Sequence, residues 1–303
     1  MKILIEYLIF PGFLFSAIVG LLSGWVDRKV TARLQWRKGP PWYQNFVDIM
    51  KLLGKETIVP AGSKFTFLLA PCFGILSVVL AATLLGTSVR LFTVSFRGDL
   101  IVVLYLLVIP AISLIIGASA SANPLASVGA SREMKMVLAY ELPFILALVT
   151  VIIKNFGAIQ LGQVIDFQLR FGSNLASWSG ALAFIVAIFS MQAKLGLAPF
   201  DASEAEQEIM GGVLIEYSGL PLAIFKLTKA LLLYTMPLFL IVLFWAGNMN
   251  ILPLIGKYVA ILVIIILIKN TNPRVRIDQA LRFFWGPMTI LALISIMLAV
   301  MGK

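Results

Sequence analysis

Eight apolar stretches, each close to the length that crosses a hydrocarbon layer, constrain this chain more than any other feature. They fall at about 3–24, 65–89, 100–120, 136–153, 179–197, 220–246, 251–268 and 285–301. A bilayer core takes about 20 apolar residues per helix and offers no water to an open backbone. The expected fold is therefore an all-α integral membrane protein with about eight transmembrane helices. Only 13% of the 303 residues are charged, and the mean hydropathy is +1.00. A soluble domain would carry about 25%. Glu6 and Pro11 interrupt the first stretch, and no small-residue cleavage site follows, so it reads as a retained span rather than a signal peptide. No linker, low-complexity segment or transporter-like repeat divides the chain, which is expected to form one domain over residues 1–303.

The net charge of +10 is placed unevenly. Arg28, Lys29, Arg33, Arg37, Lys38, Lys51, Lys55 and Lys64 follow the first span. Arg132 and Lys135 precede the fourth, and Lys269, Arg274, Arg276 and Arg282 precede the eighth. With eight spans these loops share a side, and the other side holds only Lys2, Arg90, Arg97, Lys154, Arg170 and Lys303. Positive-inside bias makes the richer side cytoplasmic and puts both termini outside. Anionic lipid explains the cations better than nucleic acid does, because no basic face interleaved with aromatics lies outside the spans. Between Phe46 and Leu53, apolar residues recur at helical spacing against Asp48 and Lys51, which predicts a short amphipathic helix at the interface.

There are no histidines and one cysteine, Cys72. An iron–sulfur cluster needs several thiolates, haem and zinc sites usually need imidazole, and a Ser-His-Asp hydrolase needs a histidine, none of which this chain supplies. Metal ligands and catalytic residues are therefore expected to be none, and Cys72 to be a buried inert thiol.

Of 14 acidic residues, five crowd into Asp201, Glu204, Glu206, Glu208 and Glu216, between the fifth and sixth stretches. Asp201 and Glu204 have the D-x-x-E spacing of a box that starts a helix. On that helix Asp201, Glu204 and Glu208 would share a face, repel, and hold a proton near neutral pH. Glu206 would point elsewhere, to solvent or to a docked subunit. Glu141 lies about two turns into the fourth stretch, where its short stem cannot reach water. An intramembrane carboxylate is a functional candidate by default, and the alternative is an ion pair with Arg132 or Lys135. Glu216 opens the sixth stretch in the same way. Lys226 and Lys229 can pair with the acidic cluster, whereas Lys257 is expected to snorkel.

Four long segments then match one pattern in order: VDRKVTARLQWRKGPP with DIMKLLGKE, SREMKMVLAYELP, APFDASEAEQEIMGGVLIEYSG, and NTNPRVRIDQALRFFW. Together they resemble the membrane subunit that joins the redox arm to the membrane arm in respiratory complex I, in energy-converting membrane-bound NiFe hydrogenases and in formate hydrogenlyase. The short run from Gly39 to Asp48 resembles the hydrogenase branch, and archaeal sulfane-sulfur reductases share the architecture. The resemblance implies a non-redox anchor in a prokaryotic plasma membrane, with no cofactor of its own. Its partners would be NiFe-hydrogenase-like large and small subunits, an iron–sulfur subunit and antiporter-like membrane subunits. The NiFe centre and iron–sulfur clusters would sit in those partners, fed by ferredoxin. Glu141, Asp201, Glu204, Glu206, Glu208 and Glu216 would relay protons or couple sodium movement. Arg28, Arg33, Arg37, Lys38, Arg132, Arg274, Arg276 and Arg282 would dock the redox module. A quinone- or sulfur-reducing relative, and a stand-alone ion transporter, are the alternatives.

Overall fold

The computed structural model describes residues 2–60, 62–90 and 95–302, with the side chains of residues 2–4, 206 and 207 left out. Its helices are α1 Lys2–Leu8, α2 Phe13–Leu34, α3 Gln44–Leu53, α4 Lys64–Arg90, α5 Asp99–Leu106, α6 Ile109–Ala120 and α7 Pro124–Lys154. Then come α8 Leu161–Phe171, α9 Trp178–Lys194, α10 Glu206–Ile209, α11 Gly219–Phe244, α12 Ile251–Thr271, α13 Ile277–Phe283 and α14 Thr289–Val300. Among the described residues there is no strand. Seven segments are long and apolar enough to cross a membrane, and α9, at 17 residues, is a shorter apolar helix in the place of the fifth stretch. The protein is a multi-pass, all-α membrane protein.

Some helix boundaries have a local cause. The Asn123 side chain accepts the Leu125 N–H at 2.8 Å and Pro124 opens α7, so this helix starts well before its apolar stretch. Ser177 caps α9 by accepting the Gly180 N–H at 3.1 Å. A π-helical turn, Phe284–Met288, containing Pro287, joins α13 to α14. The amphipathic helix expected at 46–53 is α3, and it begins at Gln44.

Beyond Lys226 and Lys229 α11 is apolar, and 78% of its apolar window is buried, against 22% for α12. It is the central post, with α2, α3 and α4 packed around it. Gly20 of α2 allows the closest crossing, because a Cβ there would stand 2.1 Å from the Ala230 carbonyl oxygen. At the far end of α11, Gln168 of α8 donates to the carbonyls of Val242 and Leu243 at 2.9 and 3.1 Å and accepts the Ala246 N–H. These bonds satisfy backbone groups that the end of α11 leaves without helical partners. Lys257 does not snorkel into solvent. Its amine donates to the carbonyls of Trp245 and Asn248, closing the turn between α11 and α12.

Several expectations need correction. Arg28, Lys29 and Arg33 ride on α2, and Arg132 and Lys135 on α7, because both helices continue past their apolar stretches as backbone hydrogen bonding propagates. Cys72 is exposed on α4 rather than buried, with its thiol turned to the Leu68 carbonyl. Lys2 and Lys303, counted for the sparse side, have side chains outside the described part.

Candidate functional site: charged residues from the 195–218 loop to Glu141

The loop from Leu195 to Ser218 joins α9 to α11 and lies at the same end of the bundle as the α3–α4 connection and the α12–α13 turn. The Val275 N–H reaches the Pro199 carbonyl at 3.0 Å, and the Ile58 N–H reaches Ser218 Oγ at 3.0 Å. The expected helix start at Asp201 and Glu204 is not formed. Residues 201–205 are turns, and only the single turn α10 follows. The side chains that would have capped a helix are taken by distant cations. Asp201 pairs with Arg274 at 2.9 Å, Glu204 pairs with Lys229 of α11, and Glu208 pairs with Arg132 of α7 at 2.6 Å. The three carboxylates therefore each meet a cation instead of repelling one another on a shared face.

Arg132 also donates to the Ala202 carbonyl at 3.2 Å, so it holds the loop as well as Glu208. Beside it Asp201, Glu208, Arg274, Arg276 and Asp278 line a charged notch of about 350 Å³. Glu216 does not open a span. It is exposed in the turn before α11 and accepts from Asn123, the residue that caps α7. The Glu206 side chain lies outside the described residues.

Glu141 is paired, though with neither cation the sequence suggested. Lys194, the last residue of α9, comes to 3.0 Å from its Oε2, in ion contact off the hydrogen-bond direction. The Lys194 side chain is 1% exposed and stands over the rings of Phe144 and Tyr140, 4.7 and 5.7 Å from their centroids. A small cavity of about 30 Å³ connects Lys194 with Glu133, Ser203, Glu204 and Lys229. Sequence reading missed both Lys194 and Glu133. The signal for Lys194 was present, since it falls inside the apolar stretch 179–197. Glu133 was hidden in what read as a loop.

A second and larger cavity, about 470 Å³, opens between α2, α3 and α11 and is lined by Asp27, Arg28, Asn45, Asp48, Glu204, Lys226 and Lys229. Arg28 bridges its wall, donating to Asn45 at 2.6 Å and to Asp48 at 3.1 Å. Burial pushes the Asp48 carboxyl up. Donors from Gln44 and Arg28, with the charges of Arg28 and Lys226, outweigh this and hold it below the ordinary 3.8. Of the cations expected to dock a partner, Arg28, Arg132 and Arg274 are thus engaged within the chain. Arg33, Arg37, Lys38, Arg276 and Arg282 are exposed and make no ion pair among the described residues. Among the described residues, no three His, Cys, Asp or Glu side chains are grouped closely enough to hold a metal ion.

The family described as NADH dehydrogenase matches residues 6–300. An NADH-quinone oxidoreductase subunit from Thermomicrobium roseum is 31% identical, over 97% of this chain and 95% of that protein. Its namesake from Brevibacillus brevis is 31% identical over 94% and 89%. Among solved structures, a chain of the membrane-bound sulfane sulfur reductase, an archaeal respiratory membrane complex, superposes with a TM-score of 0.89 at 30% identity, covering 99% of this chain and 100% of that one. These likenesses support the resemblance to the complex I junction subunit without singling out its hydrogenase branch. A match that leaves only the two chain ends uncovered is decisive, and the chain belongs to the NADH dehydrogenase family as a multi-pass membrane subunit.

Proposed function

We propose that this chain is the membrane-anchoring and coupling subunit of a multi-subunit respiratory complex related to complex I, whose partners pass electrons to a quinone or a sulfur compound. The Thermomicrobium, Brevibacillus and archaeal relatives favour those acceptors. Electron carriers reside in the partners, in keeping with a chain that lacks histidine and has one cysteine. The exposed Arg33, Arg37, Lys38, Arg276 and Arg282 dock the redox module on the cytoplasmic side.

One observation carries the coupling role. From the loop end inward the charges follow one another as Glu208–Arg132, Asp201–Arg274, Glu204–Lys229, Glu133 and Lys194–Glu141. Buried ion pairs are a weak source of stability, because desolvation offsets their attraction. Exposure falls along this series, from 58% at Glu208 to 1% at Lys194, and a charged series that runs from the surface into the core is better explained by charge movement. Turnover in the docked module alters the charge near Asp201, Glu204 and Glu208, and the inner groups exchange protons in response.

The test is Glu141→Gln in the intact complex, reconstituted in liposomes. Assembly and electron transfer should persist while ions moved per electron fall. An undiminished gradient per electron sinks the coupling role. Co-purifying quinone, or inhibition by quinone-site inhibitors, separates the quinone acceptor from a sulfur compound. A second reading, ferredoxin-driven hydrogen evolution with NiFe partners, is favoured by the short Gly39–Asp48 run. It predicts hydrogen output from the purified complex.

A further inference from the structure

A lysine at the last position of a helix ordinarily extends into water or onto the final carbonyls. Lys194 does neither. Helical side chains tilt toward the N-terminus, so a residue at the end of α9 reaches back into the bundle. There it meets Glu141 at 3.0 Å and the faces of Phe144 and Tyr140. On its other side it lines the cavity shared with Glu133, Ser203, Glu204 and Lys229. Lys194 is therefore the side chain that touches both the innermost carboxylate and the cavity leading to the loop end.

We infer that Lys194 is itself a proton carrier, taking a proton from the Glu133–Glu204 side of the cavity and delivering it to Glu141. The inference rests on the coupling role proposed for Glu141 and names the moving ion as H⁺. The steps balance. The ammonium gives one proton to the Glu141 carboxylate, leaving a neutral amine and a carboxylic acid. The amine then takes one proton from a protonated Glu133 or Glu204, restoring the ammonium and a carboxylate. Glu141 passes its proton on, and one H⁺ has advanced with no net change at Lys194. The groups facing Lys194 are Glu133, Tyr140 and Glu141 from α7, Glu204 from the loop and Lys229 from α11. Tyr140 is fully buried, and its hydroxyl has no hydrogen-bond partner among the described residues. The aromatic faces hold the ammonium without offering a base.

A fixed counter-charge and a carrier are told apart by chemistry. Arginine keeps the positive charge but does not release a proton in proteins. Histidine can load and unload, at lower pH than lysine. The experiment measures H⁺ moved per electron against pH for Lys194→Met, Lys194→Arg and Lys194→His in the reconstituted complex, with Glu141→Gln alongside. Met and Arg should lose translocation as Glu141→Gln does, with electron transfer retained. His should restore it with a profile displaced to lower pH. Translocation by the Met or Arg variant overturns the carrier role, as does an assembled His variant that is silent or has an unshifted profile. Normal translocation by Glu141→Gln would instead remove the underlying relay, whatever the Lys194 variants do.

Discussion

Asp27 Oδ2 and Lys269 Nζ lie 2.6 Å apart, clasping α2 to the otherwise lightly buried α12. Asn270 strengthens the clasp by donating to Thr31 Oγ1 at 3.1 Å. Both charged side chains are mostly screened from solvent, at 12% and 25% exposed. Removing one leaves the other without its partner, at a cost of about 1–3 kcal/mol. Asp27→Asn and Lys269→Met should each lower the melting midpoint of the purified complex. The Asp27→Leu/Lys269→Met double variant should recover part of the loss, since an apolar pair can replace a buried ion pair. A double variant no better than the singles would show that the clasp is not a pair in energetic terms.

The depressed Asp48 carboxyl gives α3 an acid limit. A group whose folded pKa lies below its unfolded value adds stability above the unfolded value, and that stability is lost as pH falls through the folded one. The window therefore lies below the ordinary 3.8. Hydrogen exchange of the 44–53 amides, corrected for its intrinsic pH dependence, should quicken on acidification through that range. Asp48→Asn should exchange faster at neutral pH and show a flatter response. An unchanged response in the variant would mean that Arg28 and Gln44 do not hold α3 through this carboxylate.

The spans and α3 were readable because apolar length and helical spacing are local properties of the chain. The extents of α2 and α7 were not. Ser131, Arg132 and Lys135 depress the hydropathy of a helix whose backbone continues regardless. α8 was missed because Gln168 interrupts its apolar face, and that glutamine is buried only because α11 ends against it. The acidic residues 201–208 were located correctly and given the wrong local structure. Their D-x-x-E spacing favours a cap, yet Arg274 and Lys229, far away in sequence, take the two carboxylates. Gly211 and Gly212, both at positive φ, then turn the chain after the single helical turn of α10. Lys194 and Glu141 are distant in the chain, and no short-range pattern joins them.

Gly20 is where α2 and α11 touch through backbone alone. A methyl group there would meet the Ala230 carbonyl oxygen at 2.1 Å, and a carbonyl inside a packed helix cannot swing aside as a side chain can. Gly20→Ala should cost about 1–3 kcal/mol through overpacking and lower the yield of assembled complex. Gly256 on α12 has open space around its missing Cβ. Gly256→Ala should be neutral, or stabilise by up to about 1 kcal/mol through helix propensity. Melting midpoints of the two variants compared with the parent decide this, and equal effects would refute the close crossing.

Glu204 and Lys229 form an ion pair whose members line both the larger cavity and the small inner one. If the pair passes charge inward, losing either member should lower ions moved per electron while electron transfer continues. Glu204→Gln leaves Lys229 an unbalanced cation facing Lys194 across the small cavity, which disfavours a second positive charge there. Lys229→Met leaves Glu204 without its counter-ion beside Glu133, and two neighbouring carboxylates resist ionising together. Each single variant should therefore shift the pH profile of translocation as well as its size. The exchange Glu204→Lys/Lys229→Glu keeps one charge of each sign across the same gap and should restore part of the yield. Non-additivity of this kind is what a direct pair produces and what two independent lesions do not. Singles that move ions normally, with altered thermal stability alone, would make the pair a structural tie between the 195–218 loop and α11.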